Sequence, residues 1–259
     1  MDTVLEDIRN SIGIIPARLE SSRLPRKLLL ELAGKPVIQW TLEGASTSKF
    51  LQRIIVATDS DEIFDFCFKI GFEAIRTPSN FESGTERVFW AYHNLGEKFD
   101  FIVNIQGDEP FINGNDIDNL LLMTFRKKAN ISTLVAPITS ERELFDPSTV
   151  KVVRRLDGFA LYFSRSTIPF IRDVEPKDWL ARHNYFKHIG IYCFRSNAIE
   201  RINSFDKSNL EGLEKLEQLR WLDNGEEILC VETKQTLISI DTAEDLNLAE
   251  HYLKNKLSI

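Results

Sequence analysis

Ile14-Ile15-Pro16-Ala17-Arg18-Leu19-Glu20-Ser21-Ser22-Arg23-Leu24-Pro25-Arg26-Lys27 is the stretch on which the reading of this chain turns. The apolar run Ile12 to Ile15 stops at Pro16, so residues 12–17 read as a short buried strand. The loop after it carries Arg18, Arg23, Arg26 and Lys27, with Lys35 just beyond, against only Glu20 and Glu31. The chain of 259 residues has a formal net charge of -7, so a local knot of cations needs a cause. Guanidinium forks and a compact ammonium suit phosphate oxygens. Nearby hydroxyls and main-chain N–H groups would complete an anion cradle. A solvated basic loop explains the charge equally well, and position in the fold has to decide.

Outward from this stretch, Gly34-Lys35-Pro36 is expected to open a helix whose core face is Val37, Trp40, Thr41 and Gly44. Residues 53–58 form a second strand, and Ser60 can cap the helix after it. Phe72 to Arg76 is a third strand, and Ser83-Gly84-Thr85-Glu86-Arg87 leads into a helix through Tyr92. Phe101 to Ile105 is a further apolar strand, followed at once by Gln106-Gly107-Asp108-Glu109-Pro110. Residues 115–128 read as helix and 131–138 as strand. This alternation predicts a right-handed, mainly parallel α/β sheet. Ligands bind such sheets beyond the carboxyl ends of the strands. The basic loop and the Gln-Gly-Asp-Glu-Pro loop both lie there, which favours a site over a plain surface.

The pattern changes near residue 145. Residues 150–155 and 159–163 read as a hairpin turning at Asp157-Gly158. Phe186 to Phe194 is extended. Leu210, Leu213, Leu216, Leu219 and Leu222 mark an amphipathic helix ended by Gly225. Residues 228–232 and 237–240 are short strands, and Asp241-Thr242 opens a last helix. No repeat or linker separates the halves, so the second reads as an elaboration of the first.

The chain is 43% hydrophobic and 27% charged, a globular composition. No apolar run nears the roughly 20 residues that cross a bilayer, and Met1 to Asn10 lack a secretory apolar core. Cys67, Cys193 and Cys230 are odd in number and widely spaced, as expected of reduced, buried thiols in a cytoplasmic protein. The acidic balance argues against nucleic acid or membrane as partner. There is no GxxxxGK[ST], no GxGxxG after the first strand and no GxSxG.

Asp108 follows a buried strand within a glycine turn, where its carboxylate either holds a hard divalent cation or caps the turn. Asp241 is either a second metal ligand or an N-cap. Two carboxylates plus substrate phosphates is a common way to hold Mg²⁺. His188, alone among apolar residues, reads as a packed core histidine or a catalyst. Glu217 and Gln218 are surface positions or polyhydroxyl ligands, and Arg165 is a surface cation or a carboxylate clamp.

Taken together, the blocks resemble the 3-deoxy-manno-octulosonate (KDO) cytidylyltransferases, or CMP-KDO synthetases. They are IIPAR…SSRLP.K at 14–27, GKP at 34–36, VATD at 56–59, SGTER at 83–87, QGDEP at 106–110, YFSR..IP at 162–169, H.GIY at 188–192, LE.LEKLEQLR at 210–220 and IDTAEDL at 240–246. They run in order over nearly the full chain. The resemblance implies a Rossmann-like, GT-A-type three-layer α/β/α fold with a mixed, mostly parallel sheet and a smaller dimerisation sub-domain. It implies one nucleotidyltransferase domain over residues 1–259. A nucleotide-binding half would reach about residue 145, and a sugar-binding and dimerisation elaboration would run from about 146 to 259.

The implied reaction is CTP plus KDO to CMP-KDO and pyrophosphate, in lipopolysaccharide biosynthesis. By motif position Arg18 and Lys27 would hold the triphosphate with Ser22 and Arg23. Ser83, Gly84, Thr85 and Arg87 would lie against the cytidine, and Gln106 joins the substrate-binding set. Asp108 and Asp241 would bind Mg²⁺, and Arg165, His188, Tyr192, Glu217 and Gln218 the sugar acid. The implied protein is a cytoplasmic homodimer. The rivals are activation of another acid sugar such as 8-amino-KDO or sialic acid, a hexose-phosphate nucleotidyltransferase, and a non-catalytic nucleotide-binding protein. One departure stands out: where the family reads LPGKPL, this chain has Arg26 for the glycine and Leu28 for the second proline. The expectation is a loop that closes differently, or an extra cation on the phosphates.

Overall fold

Strand β1 (Ser11–Ala17) is buried along its length except at Pro16. Both its faces are covered, which is why its sequence is a continuous apolar run and not an alternation. It pairs in parallel with β2 (Leu51–Thr58), which pairs in parallel with β3 (Glu73–Arg76). The other edge of β1 takes β4 (Phe101–Asn104), again in parallel. Helices α1 (Val37–Ala45), α2 (Asp61–Lys69) and α3 (Gly84–Asn94) make the crossovers. The structure is a computed structural model that describes residues 8–21, 23–235 and 237–257. Its described residues divide into two units, 8–121 with 237–257, and 122–235.

Local chemistry places the helix starts in the first unit. Ser60 Oγ accepts from the Ile63 N–H at 3.3 Å, capping α2, and Ser83 Oγ accepts from the Glu86 N–H at 3.1 Å, capping α3. Gly34 does not open α1 as expected. Glu31–Leu32 and Lys35–Pro36 pair as a small antiparallel hairpin, and its turn residues Ala33 and Gly34 have φ of 47° and 84°. Two positive φ values in a two-residue turn are the type I′ geometry, which glycine supports. The helix begins only at Val37. Helix α4 (Gly114–Arg126) follows β4 in the chain.

Residues 237–240 join no strand ladder, contrary to the expected strand. The Ile240 N–H instead donates to the Asp108 carbonyl at 3.0 Å. Ile240 packs with Leu32, Val37, Ala249 and Leu253, so the C-terminal helix (Ala243–Leu257) and the hairpin share one core.

The second unit holds β5 (Ile131–Pro137), α5 (Glu141–Phe145), β6 (Lys151–Arg154), β7 (Ala160–Ser164), α6 (Trp179–Arg182), β8 (Phe186–Arg195), α7 (Ser196–Asn203), α8 (Asn209–Glu214), α9 (Gln218–Asp223) and β9 (Ile228–Glu232). β5 pairs in parallel with β9 and antiparallel with β8; β8 pairs antiparallel with β6, and β6 with β7. The β6–β7 hairpin turns at Asp157-Gly158 as expected, with Gly158 at φ 96°.

The leucines at every third position do not form one helix. Lys215 breaks the chain between α8 and α9 with φ 53° and ψ 47°. A step of three falls about 60° short of a full turn in an α-helix, so five such leucines sweep most of the way round it. The break resets the phase: Leu216 and Leu219 are buried, while Leu213 is left exposed. Gly225, at φ 84°, ends α9 as expected.

Candidate active site

The loop after β1 is held by its own backbone. The Arg26 N–H donates to the Leu19 carbonyl at 3.2 Å, and residues 27–29 form a 3₁₀ turn in which Leu28 is buried. Arg26 stands at φ 59°, in the left-handed region that glycine adopts most readily. Arg26 therefore keeps a glycine-like backbone at this position. The Arg26 guanidinium pairs with Glu62.

Lys27 points the other way. Its Nζ donates to Asp108 and, at 2.8 Å, to Asp241, which lies 214 residues further along the chain. Arg23 adds a 2.9 Å bond to Asp241. Two backbone devices bring the acids together. The Thr41 hydroxyl donates to the Gly107 carbonyl at 2.9 Å and fixes the turn that carries Asp108. The Ile240 bond to the Asp108 carbonyl then delivers Asp241. Asp241 is not the cap of the last helix. Thr242 caps it by accepting from the Asp245 N–H at 3.2 Å, and Asp245 accepts from the Asp241 and Thr242 N–H groups at 3.1 and 2.8 Å. That leaves the Asp241 carboxylate for cations.

The electrostatics follow. Burial would lower the Lys27 pKa, but Asp108 and Asp241 outweigh it and the net shift is upward. Burial would raise Asp241, but Lys27 and Arg23 hold it below the usual carboxylate value. Arg18 is lowered, first by burial and then by Arg87.

These groups line a cavity of about 440 Å³, along with Arg18, Gln106 and Gly84. Arg18 donates to the Phe81 carbonyl. Gln106 donates to Asn104 Oδ1 at 3.1 Å, and Asn104 donates to the buried Thr85 hydroxyl at 3.2 Å. Gly84 faces Pro16 so closely that a Cβ would lie 3.2 Å from its ring. Arg87 does not reach the cavity. It is fully buried, bound to Thr77 and, at 2.8 Å, to Asp59, so it pins the loop that presents Phe81. Ser22 lies outside the described residues.

The two acids also fit a hard divalent ion, because both already converge on one cation, the Lys27 ammonium. Among the described residues no group of three or more His, Cys, Asp or Glu side chains could hold a metal. The remaining ligands would be phosphate oxygens and water.

The second unit contains the other expected residues. β8 slips register between Ile189 and Tyr192. A regular strand would separate residues 188 and 192 by about 13 Å, yet the His188 and Tyr192 rings are 5.3 Å apart. His188 Nε2 lies 3.1 Å from the Thr133 hydroxyl, whose single proton serves the Ile189 or Ile191 carbonyl at 3.0 or 2.9 Å. Desolvation pushes the His188 pKa down to about 3. Burial, then Glu217, raise Tyr192. Gln218 is 4% exposed, and its Nε2 has no hydrogen-bond partner among the described residues.

Arg165 is already engaged: its guanidinium donates to the Glu214 and Pro147 carbonyls at 2.7 and 3.0 Å. A substrate carboxylate would have to compete with them. Its own carbonyl accepts from the fully buried Lys151 ammonium at 2.6 Å. Asp59, Thr41, Thr242 and Lys151 were not expected to shape the site. Asp59 and Thr242 stood inside quoted motifs, but nothing in the sequence tells a group that orients a neighbour from one that meets a ligand.

The family model described as Cytidylyltransferase matches residues 12–228. The chain belongs to the cytidylyltransferase family. A Cytophaga hutchinsonii protein named 3-deoxy-manno-octulosonate cytidylyltransferase is 42% identical to it over 93% of this chain and 96% of that protein. A Flavobacterium johnsoniae protein of the same name is 44% identical over 94% and 98%. Among solved structures, a CMP:2-keto-3-deoxy-manno-octonic acid synthetase complexed with CTP superposes with a TM-score of 0.86 at 35% identity, covering 95% of this cytidylyltransferase and 99% of that chain. The α/β nucleotidyltransferase-like fold is therefore shared, with helices on a mixed sheet.

Proposed function

We propose that the protein is a KDO cytidylyltransferase, joining the CMP moiety of CTP to the anomeric 2-hydroxyl of KDO and releasing pyrophosphate. The observation that carries this reading is the convergence of Lys27 and Arg23 on Asp108 and Asp241 at the end of β1, in a chain of this family. Arg18, Arg23 and Lys27 would hold the triphosphate and offset the charge that builds on it. The Gly84 and Gln106 side of the cavity would receive the cytidine. Asp108 and Asp241 would hold Mg²⁺, which when bound supplies Lewis-acid polarisation and charge neutralisation. The sugar hydroxyl oxygen forms a bond to the α-phosphorus while the α–β bridging bond breaks in line. The hydroxyl proton goes to water and the electron pair leaves with pyrophosphate. The residues here chiefly position and neutralise.

The second unit would take the sugar acid. The unpartnered Gln218 amide and the His188–Tyr192 pair support this, since a polyhydroxyl ligand would meet buried donors and acceptors. Three free, buried thiols, each pushed up to about 12 by burial, support a cytoplasmic setting. No helix of the described residues is long and apolar enough to cross a membrane. A homodimer is supported by Leu156, Leu161 and Leu213, which the second unit leaves exposed; light scattering tests it. CMP-KDO would feed lipopolysaccharide synthesis.

Pyrophosphate release with Mg²⁺, CTP and a panel of KDO, 8-amino-KDO and sialic acid tests the reading. KDO is expected to react fastest. No release from any acid sugar would leave a nucleotide-binding protein. Asp108→Asn is expected to lower turnover by roughly a hundredfold or more while the fold is kept; near-normal turnover would remove Asp108 from the metal site.

A further inference from the structure

Lys27 sits between the two carboxylates that would hold a divalent ion. Its ammonium touches one oxygen of each acid, and Arg23 takes the other Asp241 oxygen. The contact is sheltered: the Lys27 and Asp108 side chains are 15% and 18% exposed. An ammonium and a divalent cation cannot both sit between the same two carboxylates, because they share the ligands and repel one another. The lysine is also free to leave without unfolding its loop. Its carbonyl accepts from the Leu30 N–H at 3.2 Å and the neighbouring Leu28 is buried, so the backbone is pinned while the four-carbon stem can swing.

We propose that Lys27 is a built-in stand-in cation that keeps metal off Asp108 and Asp241 until a triphosphate draws its ammonium away, so that metal loads with the nucleotide and not before it. This rests on the reading of the two acids as the Mg²⁺ ligands. A triphosphate brings several negative charges to Arg18, Arg23 and Lys27, which line the same cavity. Once the Lys27 head turns to those oxygens, the two carboxylates lose their counter-charge and become ligands for a metal that phosphate oxygens complete. The free protein is thereby spared an unpaired acid pair, and metal without nucleotide finds no vacancy.

The test is Mn²⁺ binding to the nucleotide-free protein, followed by electron paramagnetic resonance. The wild type is expected to bind weakly. Lys27→Met is expected to bind roughly tenfold tighter or better, since removing one partner leaves the others uncompensated. Adding Asp108→Asn to Lys27→Met is expected to cancel the gain. Lys27→Met binding no tighter than wild type overturns the proposal. A second measurement needs no variant: nucleotide-free wild-type crystals soaked in Mn²⁺ are expected to give no anomalous peak between the two acids, and a peak there overturns it. Neither readout depends on turnover. Tight nucleotide-free Mn²⁺ binding by an active wild type would sink the stand-in role and leave the reaction standing.

Discussion

Arg26 keeps a glycine's backbone without a glycine's side chain. At φ 59° an L-residue carries a strain of about 1–2 kcal/mol. Its ion pair with Glu62 is about half exposed at both ends and returns at most about 1 kcal/mol. Arg26→Gly is therefore expected to leave stability unchanged or raise it by up to about 1 kcal/mol, because relief of strain outweighs the lost pair and the added chain entropy. Arg26→Val is expected to cost about 1–3 kcal/mol, since a branched Cβ resists that region. Urea unfolding distinguishes the two, and equal effects would mean the loop is not held as described. Asp108 and Asp241 could be picked out from sequence because each stands where an apolar segment ends. Arg87 and Arg165 could not be placed. Their partners Asp59, Glu214 and Pro147 come from other segments, and an arginine in a motif looks the same whether it meets backbone or ligand.

The parallel strands of the first unit were readable because burial on both faces writes an unbroken apolar run, and the helix starts because Ser60 and Ser83 cap them directly. Departures came where one signal had two meanings. Gly34 served a turn of the small hairpin and not a helix start. The leucine series gave two short helices, since spacing by three does not hold one face. The Lys215 side chain is exposed and its αL backbone closes α8 by donating its N–H to the Glu211 carbonyl at 2.8 Å. Lys215→Gly is accordingly expected to stabilise by up to about 1 kcal/mol and Lys215→Val to destabilise by a similar amount or more. A continuous helix would demand the opposite for glycine, which costs about 1 kcal/mol in a helix interior. Chemical denaturation of both variants decides it. The slip in β8 was invisible because no residue pattern encodes which partner carbonyl a strand will skip.

An acidic polypeptide gathers Arg18, Arg23 and Lys27 at one cavity and buries the His188 imidazole in the other unit. Unfolded, a histidine takes up a proton as pH falls through about 6.5; folded, His188 resists until about 3. Between those values the unfolded chain holds the extra proton, so stability from this group is complete above pH 6.5 and is lost as pH falls toward 3. The expected slope is about 1.4 kcal/mol per pH unit within that window. His188→Gln should flatten the wild-type decline between pH 6 and about 4.5, above most carboxylate titrations; parallel curves for the two proteins would show that the imidazole is not shielded. Asp241 belongs to the segment that returns to the first unit after residues 122–235 have been laid down. A ribosome must therefore polymerise the entire second unit before the partner acid of Asp108 exists. Until translation passes codon 241, the emerging polypeptide bears Lys27 with only one of its two acidic partners, and chain order alone delays the second.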